Sequence, residues 1–339
     1  MNKNLIFTSW IVLLMVSVVA CRPKAVEHEY SRNSGNIYGT YYSIVYQHPE
    51  GKDLQKEIDE KFAEFDLSLS TFNPQSVISR INTNDPDVKV DNYFKDMYKQ
   101  AVEVSKITGG AFDITVAPLV NAWGFGFGEQ LRDSTPDVES LLKITGFTKV
   151  RLEGDKLIKN NPSIMLDASA IAKGQASDVI AHLLETHGCT NYMVEIGGEI
   201  ACKGVNPKGT HWRIGIDKPV DDSTNENQEL QVIVQISGVG LATSGNYRQF
   251  YFRDGKKYAH TINPRSGYPV DHQLLSATVI TSTCMKADAY ATAFMVLGKD
   301  SALKICEQDP DMECYLIYAN EVGTTEVAYS NGFQKYIVE

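Results

Sequence analysis

Asp288 and Thr292 stand four residues apart in "KADAYATAF" (286–294), so a helical turn sets them on one face. A carboxylate and a hydroxyl are hard oxygen donors. Two such groups are too few to cage calcium, but they suit Mg2+, which fills its shell with waters and substrate phosphate oxygens. Ala287, Ala289, Tyr290, Ala291, Ala293 and Phe294 make the segment apolar on nearly every side, as in a buried helix. A buried carboxylate is costly without a partner. The residues alone leave a second reading open: Asp288 bonded to local backbone, and Thr292 bonding back to its own helix.

Other stretches carry groups able to meet a ligand. In "SIMLDASAIAKGQASDVI" (163–180) an apolar strand ends at Asp167, and Lys173-Gly174 fall near the start of a helix. Free N–H groups there favour anions, although Asp167 serves equally well as a plain helix cap. In "YAHTINPRSGYP" (258–269) His260 ends a strand ahead of a turn carrying Arg265. Histidine is the usual general base near neutral pH, and a structural histidine fits the pattern as well. Ser244 in "LATSGNYRQFY" (241–251) lacks a G-x-S-x-G elbow and reads as a turn facing a ligand. Asp113 lies in "TGGAFDITVAPLVNAWGFGFG" (108–128). Gly124, Gly126 and Gly128 there lack the G-x-G-x-x-G order of a dinucleotide loop.

The elements that must position these groups follow from periodicity. Leu54, Ile58, Phe62, Phe65 and Leu69 predict an amphipathic helix over 52–69. Further helices are expected over 93–107, about 137–144, and from Ile171 to Gly188, and the opening stretch starts one that stops near Gly298. Hairpins are expected at Gly154-Asp155, Gly197-Gly198 and Asp254-Gly255. "HWRIGI", "LQVIVQI", "LLSATVIT" and "CYLIYA" read as strands. Many adjacent hairpins with separate helices predict an α+β fold with largely antiparallel sheet, in a single catalytic domain.

The chain has 339 residues and a net charge of −10, with no basic run, which argues against nucleic acid as a main partner. Residues 5–20, "LIFTSWIVLLMVSVVA", have the anatomy of a secretory signal and are short of the roughly 20 apolar residues of a spanning helix. "VVAC" resembles a bacterial lipobox, with Cys21 as the lipidated residue of an exported, membrane-anchored protein. The resulting division is a signal over 1–20, a polar tether over 21–36 and a domain over 37–339. Cys189, Cys202, Cys284, Cys306 and Cys314 are scattered, with no disulfide framework or zinc knuckle.

In this order, "YGTYYSI", "STFNPQSVISRIN", "TGGAFDITVAPLVNAWGFG", "LDASAIAKGQASD", "YMVEIGGEI", "WRIGI", "LATSGNYRQF", "YAHTINPRSGYP" and "ADAYATAFMVLG" resemble the ApbE family of flavin transferases, the FAD:protein FMN transferases. The resemblance runs from about Ile37 to Leu297. It implies binding of FAD and a divalent ion, usually Mg2+. It also implies transfer of the FMN half, through a phosphoester, to a threonine or serine of a target protein, with release of AMP. The family's targets are subunits of membrane redox pumps. Some relatives chiefly hydrolyse FAD, so an FAD pyrophosphatase is one alternative; a non-catalytic flavin-binding lipoprotein is another.

Position by position, the resemblance assigns Asp288 and Thr292 to the metal, with Ala170 and Ala291 offering backbone carbonyls. Tyr38, Phe72, Ala111, Phe112, Asp113, Asp167, Lys173 and Ile262 match FAD contacts. His260 matches the histidine associated with activating the acceptor hydroxyl. The chain departs from the family at Tyr38, usually Met; at Phe72, commonly an aromatic with a hydroxyl; and at Asn263, usually Asp. These bear on flavin affinity and on the balance of transfer against hydrolysis.

Overall fold

A computed structural model describes residues 29–127, 135–219, 229–246 and 250–338. The expected signal, Cys21 and the polar residues 22–28 lie outside the described residues. Among those described, no helix is long and apolar enough to cross a membrane.

The first element is a hairpin of β1 (Ser31–Ile37) and β2 (Thr40–Tyr46). Residues 31–36 therefore belong to the sheet, which corrects their assignment to a tether. Their sequence shows no apolar alternation because β1 is an edge strand, hydrogen-bonded on one side only, where polar side chains are the norm.

Helices follow: α1 (Gln55–Leu69), α2 (Val77–Asn82), α3 (Asn92–Ile107), α4 (Ala117–Ala122) and α5 (Val138–Lys143). The Asp91 carboxylate accepts the Phe94 N–H at 2.8 Å and starts α3, as an N-cap should. Phe94, Met97, Ala101 and Val104 then form its buried stripe, each large side chain contributing about 1.5–3 kcal/mol by leaving water. A small hairpin, β3 (Val150–Glu153) and β4 (Lys156–Lys159), precedes α6 (Ala172–Thr186).

The rest is mainly strand: β5 (Tyr192–Ile196), β6 (Glu199–Lys203), β7 (Trp212–Asp217), β8 (Leu230–Ile236), β9 (Val239–Gly245), β10 (Phe250–Arg253), β11 (Lys256–Ala259) and β12 (Leu274–Thr281). Then come α7 (Cys284–Leu297), α8 (Lys299–Gln308), β13 (Glu313–Ala319) and β14 (Thr325–Tyr329). The main sheet runs β1-β2-β5-β6-β9-β12-β13-β14, and its pairings are antiparallel. The α+β expectation holds.

Side chains alternate between two cores, as strand geometry requires. Ala201, Ala242, Val279 and Leu316 face the core built with α1, α3, α6 and α7. Their neighbours Ile200, Leu241, Ile280 and Ile317 face a second core, covered by the β7–β8 hairpin and a 3-10 turn over 331–336. A third cluster joins Leu119 and Trp123 to Val138 and Ile262. Helix α7 is buried at ten of its positions, Asp288 among them, as its composition predicted.

Candidate active site

Helices α6 and α7 are pressed together at Gly174. A Cβ there would stand 2.4 Å from the Cys284 carbonyl oxygen and 2.8 Å from Asp288 Cβ, so only glycine permits the approach. The Gly174 N–H donates to Asp288 Oδ2 at 3.0 Å. In a regular helix start that N–H would serve the Ala170 carbonyl; here no hydrogen bond from a described residue reaches that carbonyl. The contact is reciprocated. Asp178 of α6 accepts the N–H groups of Cys284 (2.9 Å) and Met285 (2.8 Å) in the first turn of α7.

Asp288 is 3 % exposed. Burial raises its pKa, while Lys173 and the Gly174 N–H pull it back down. Its Oδ1 takes no hydrogen bond from the described residues. Thr292 does not bond back into its own helix; its hydroxyl pairs with Ser244 Oγ at 3.1 Å. Ser244 lies inside β9, where a turn had been expected. Ala291 is fully buried inside α7, so its carbonyl is already engaged in the helix ladder and keeps one lone pair.

Lys173 Nζ lies 2.6 Å from Glu199 Oε1. Burial alone would depress the lysine; Glu199 and then Asp288 outweigh it and hold the ammonium above its usual range. Burial pushes Glu199 upward, and Lys173 opposes that shift. Lys173 is thus a cation shared between two carboxylates.

The remaining candidates are fixed by contacts of their own. Asp167 receives the Ser169 N–H (2.8 Å) and hydroxyl (2.5 Å) on Oδ1, and its own N–H donates to the Ile114 carbonyl at 2.7 Å. The Asn82 side chain clamps Leu166 through both its N–H and its carbonyl, which ties α2 to the Asp167 strand end. Ala111, Phe112 and Asp113 are buried. Asp113 is saturated by the Thr115 N–H and hydroxyl and by the Phe147 N–H, and burial raises its pKa. Its side chain is architectural, and its carbonyl accepts the Val116 N–H at 3.3 Å.

Tyr38 occupies the β1–β2 turn with φ 51°, and its hydroxyl donates to the Phe62 carbonyl at 2.9 Å. Phe72 is 80 % exposed, a free aromatic face. Ile262 is buried and bridges to Pro269. His260 follows β11 directly, with the Phe125 ring edge-on at 6.4 Å. Its neighbour Thr261 donates to Asn246 Oδ1 at 2.6 Å, which connects the histidine to the end of the Ser244 strand. Asn263 Oδ1 accepts the Arg265 N–H at 3.0 Å, the bond an aspartate would accept there.

The ApbE family model matches residues 38–316. This chain belongs to the ApbE family. It is 37% identical to the FAD:protein FMN transferase of Vibrio cholerae over 97% of this chain and 99% of that protein. It is 32% identical to the one from Escherichia coli K12, over 90% and 88%. The solved ApbE flavin transferase of Vibrio cholerae superposes with TM-score 0.81 at 36% identity, covering 91% of this chain and 99% of that one. An ApbE protein of Thermotoga maritima matches at TM-score 0.78 and 28% identity, over 92% and 100%.

In this ApbE chain, the donors that a divalent ion would need are Asp288 Oδ1, Thr292 Oγ1 and the open Ala170 carbonyl. Among the described residues, no group of three His, Cys, Asp or Glu side chains could hold a metal. The donor set fits Mg2+, which leaves most of its shell to water and phosphate. Clefts of about 710 and 700 Å³ lie between α3 and α6 and beside β1 and α1. Neither is lined by Asp288, Thr292 or His260. The sequence marks Glu199 only by its place in "IGGEI".

Proposed function

We propose that this protein transfers FMN from FAD to a threonine or serine hydroxyl of a target protein, a subunit of a membrane redox pump, in a Mg2+-dependent reaction. The observation that carries the reading is the buried Asp288 carboxylate, with Oδ2 held by the Gly174 N–H and Oδ1 taking no hydrogen bond from a described residue, one helical turn before the Thr292 hydroxyl. That arrangement supports a cation at a site where a pyrophosphate is to be cleaved.

The acceptor oxygen forms a bond to the FMN phosphorus, and the bridging P–O bond to AMP breaks. Such displacements depend on charge neutralisation and in-line placement more than on covalent help. Bound Mg2+ supplies positive charge to the phosphate oxygens. His260, at the end of β11, takes the proton of the acceptor hydroxyl. Phe72 offers a stacking face to the flavin. Lys173 adds positive potential at the first turn of α6, whose N–H groups favour anions. The "VVAC" stretch supports export and a lipid on Cys21, the protein working on the outer side of the inner membrane.

The test is to incubate the mature protein with FAD, Mg2+ and a pump subunit made without its flavin. Expected products are AMP and a subunit that stays fluorescent in a denaturing gel, both abolished by EDTA. Free FMN with no labelled subunit would replace this reading with hydrolysis. Loss of His260 as Ala should slow AMP release roughly 10²–10⁴-fold with FAD still bound. Labelled palmitate should enter the wild type and not Cys21→Ala.

A further inference from the structure

Glu199 is 3 % exposed and heads β6 directly after the Gly197–Gly198 turn, both glycines at positive φ. Oε1 meets Lys173 Nζ at 2.6 Å. Oε2 is sealed from solvent with no hydrogen-bond partner among the described residues. A carboxylate this deep, half unsatisfied, is retained against a desolvation cost and so needs a reason. Nothing in the reaction outlined above uses it.

The reason lies in what Lys173 would do without it. The ammonium feels two carboxylates, Glu199 and Asp288, and it is bonded to Glu199. Asp288 already meets Gly174, the residue next to Lys173. We propose that Glu199 is a positioning residue that holds the Lys173 ammonium away from Asp288, so that Asp288 Oδ1 stays open to the divalent cation. The inference rests on the Mg2+ reading of Asp288.

An ammonium and a divalent cation compete for the same oxygen, and a buried ion pair formed in place would be difficult to displace. Glu199 is suited to win the lysine because its backbone is fixed. Ser177 Oγ donates to its carbonyl at 3.0 Å, and β6 is hydrogen-bonded to β5 and β9. The lysine is drawn to the sheet, and its charge remains near the substrate without blocking the ion.

The test uses Mn2+ as the probe, with binding to the mature protein followed by the electron paramagnetic resonance signal of the free ion. Glu199→Gln should weaken Mn2+ binding by about tenfold, the scale of a lost outer-shell partner. Adding Lys173→Met to Glu199→Gln should return the affinity to within about a factor of two of Lys173→Met alone. The double variant also removes both buried charges, so it remains informative if Glu199→Gln folds poorly. Unchanged affinity in Glu199→Gln overturns the proposal. So does a loss that Lys173→Met fails to relieve, which would make Glu199 a ligand itself. If Asp288→Ala binds Mn2+ as the wild type does, the metal reading fails and this inference falls with it.

Discussion

Asp178 and Asp288 cap each other's helices. Asp288 of α7 accepts an N–H from the first turn of α6 at 3.0 Å, and Asp178 of α6 accepts two from the first turn of α7. Carboxylates at helix N-termini are favourable through both hydrogen bonding and the helix dipole. The fold and the site therefore depend on the same pair of helices.

The pair meets closely at Gly174, where an added Cβ would overlap the Cys284 carbonyl. Gly174→Ala should cost about 1–3 kcal/mol, the usual range for overpacking. Thermal denaturation should show the loss, and Mg2+-dependent AMP release should fall with it. Full stability would mean that α7 moves away freely.

Asp178 predicts a pH effect with a definite sign. Burial lifts its pKa from 3.8 to about 6, the two backbone N–H groups acting against that rise. Between those values the folded chain holds a proton that the unfolded chain has released. Stability from this group is therefore present at low pH and lost as pH rises through about 6. The melting temperature of wild type relative to Asp178→Asn should be higher at pH 4 than at pH 7.5. An unchanged difference would refute the raised pKa.

Thr292 offers a hydroxyl that Ser244 orients from β9 at 3.1 Å. Thr292→Ser should keep Mg2+-dependent transfer, whereas Thr292→Val should lose most of it. Ser244→Ala should raise the Mg2+ requirement by about 10–100-fold, as for other outer-shell partners. A Mg2+ titration of AMP release separates the three; equal curves would remove the hydroxyl from the site.

Phe72 is exposed enough that its removal should leave folding untouched. A stacking partner for the flavin is worth about 0.5–1.5 kcal/mol, so Phe72→Ala should weaken FAD binding several-fold with an unchanged melting temperature. Fluorescence quenching of FAD would measure it. Equal affinity would place the flavin elsewhere.

Much of this was legible in the sequence, for identifiable reasons. The apolar surroundings of Asp288 announced a buried carboxylate, and α3 and β12 followed from their periodicity. The Gly174 contact was not legible, because the donor lies 114 residues from Asp288 and no local pattern records a crossing between helices. Ser244 reads as a turn because "TSG" carries turn residues, while its strand is held by partners on both sides. The burial of Glu199 was not legible either, because a charged residue after two glycines looks like the exposed rim of a hairpin.

The sheet's second face bears on how the protein can be altered. The β7–β8 hairpin seals that face with Trp212, Ile214, Val232 and Val234, and none of the candidate site residues lies on it. The main sheet stands between this cover and the chemistry. Leu230, exposed at the start of β8, is therefore a natural attachment point for a reporter or an affinity handle. A graft there should report on the working enzyme without entering its reaction.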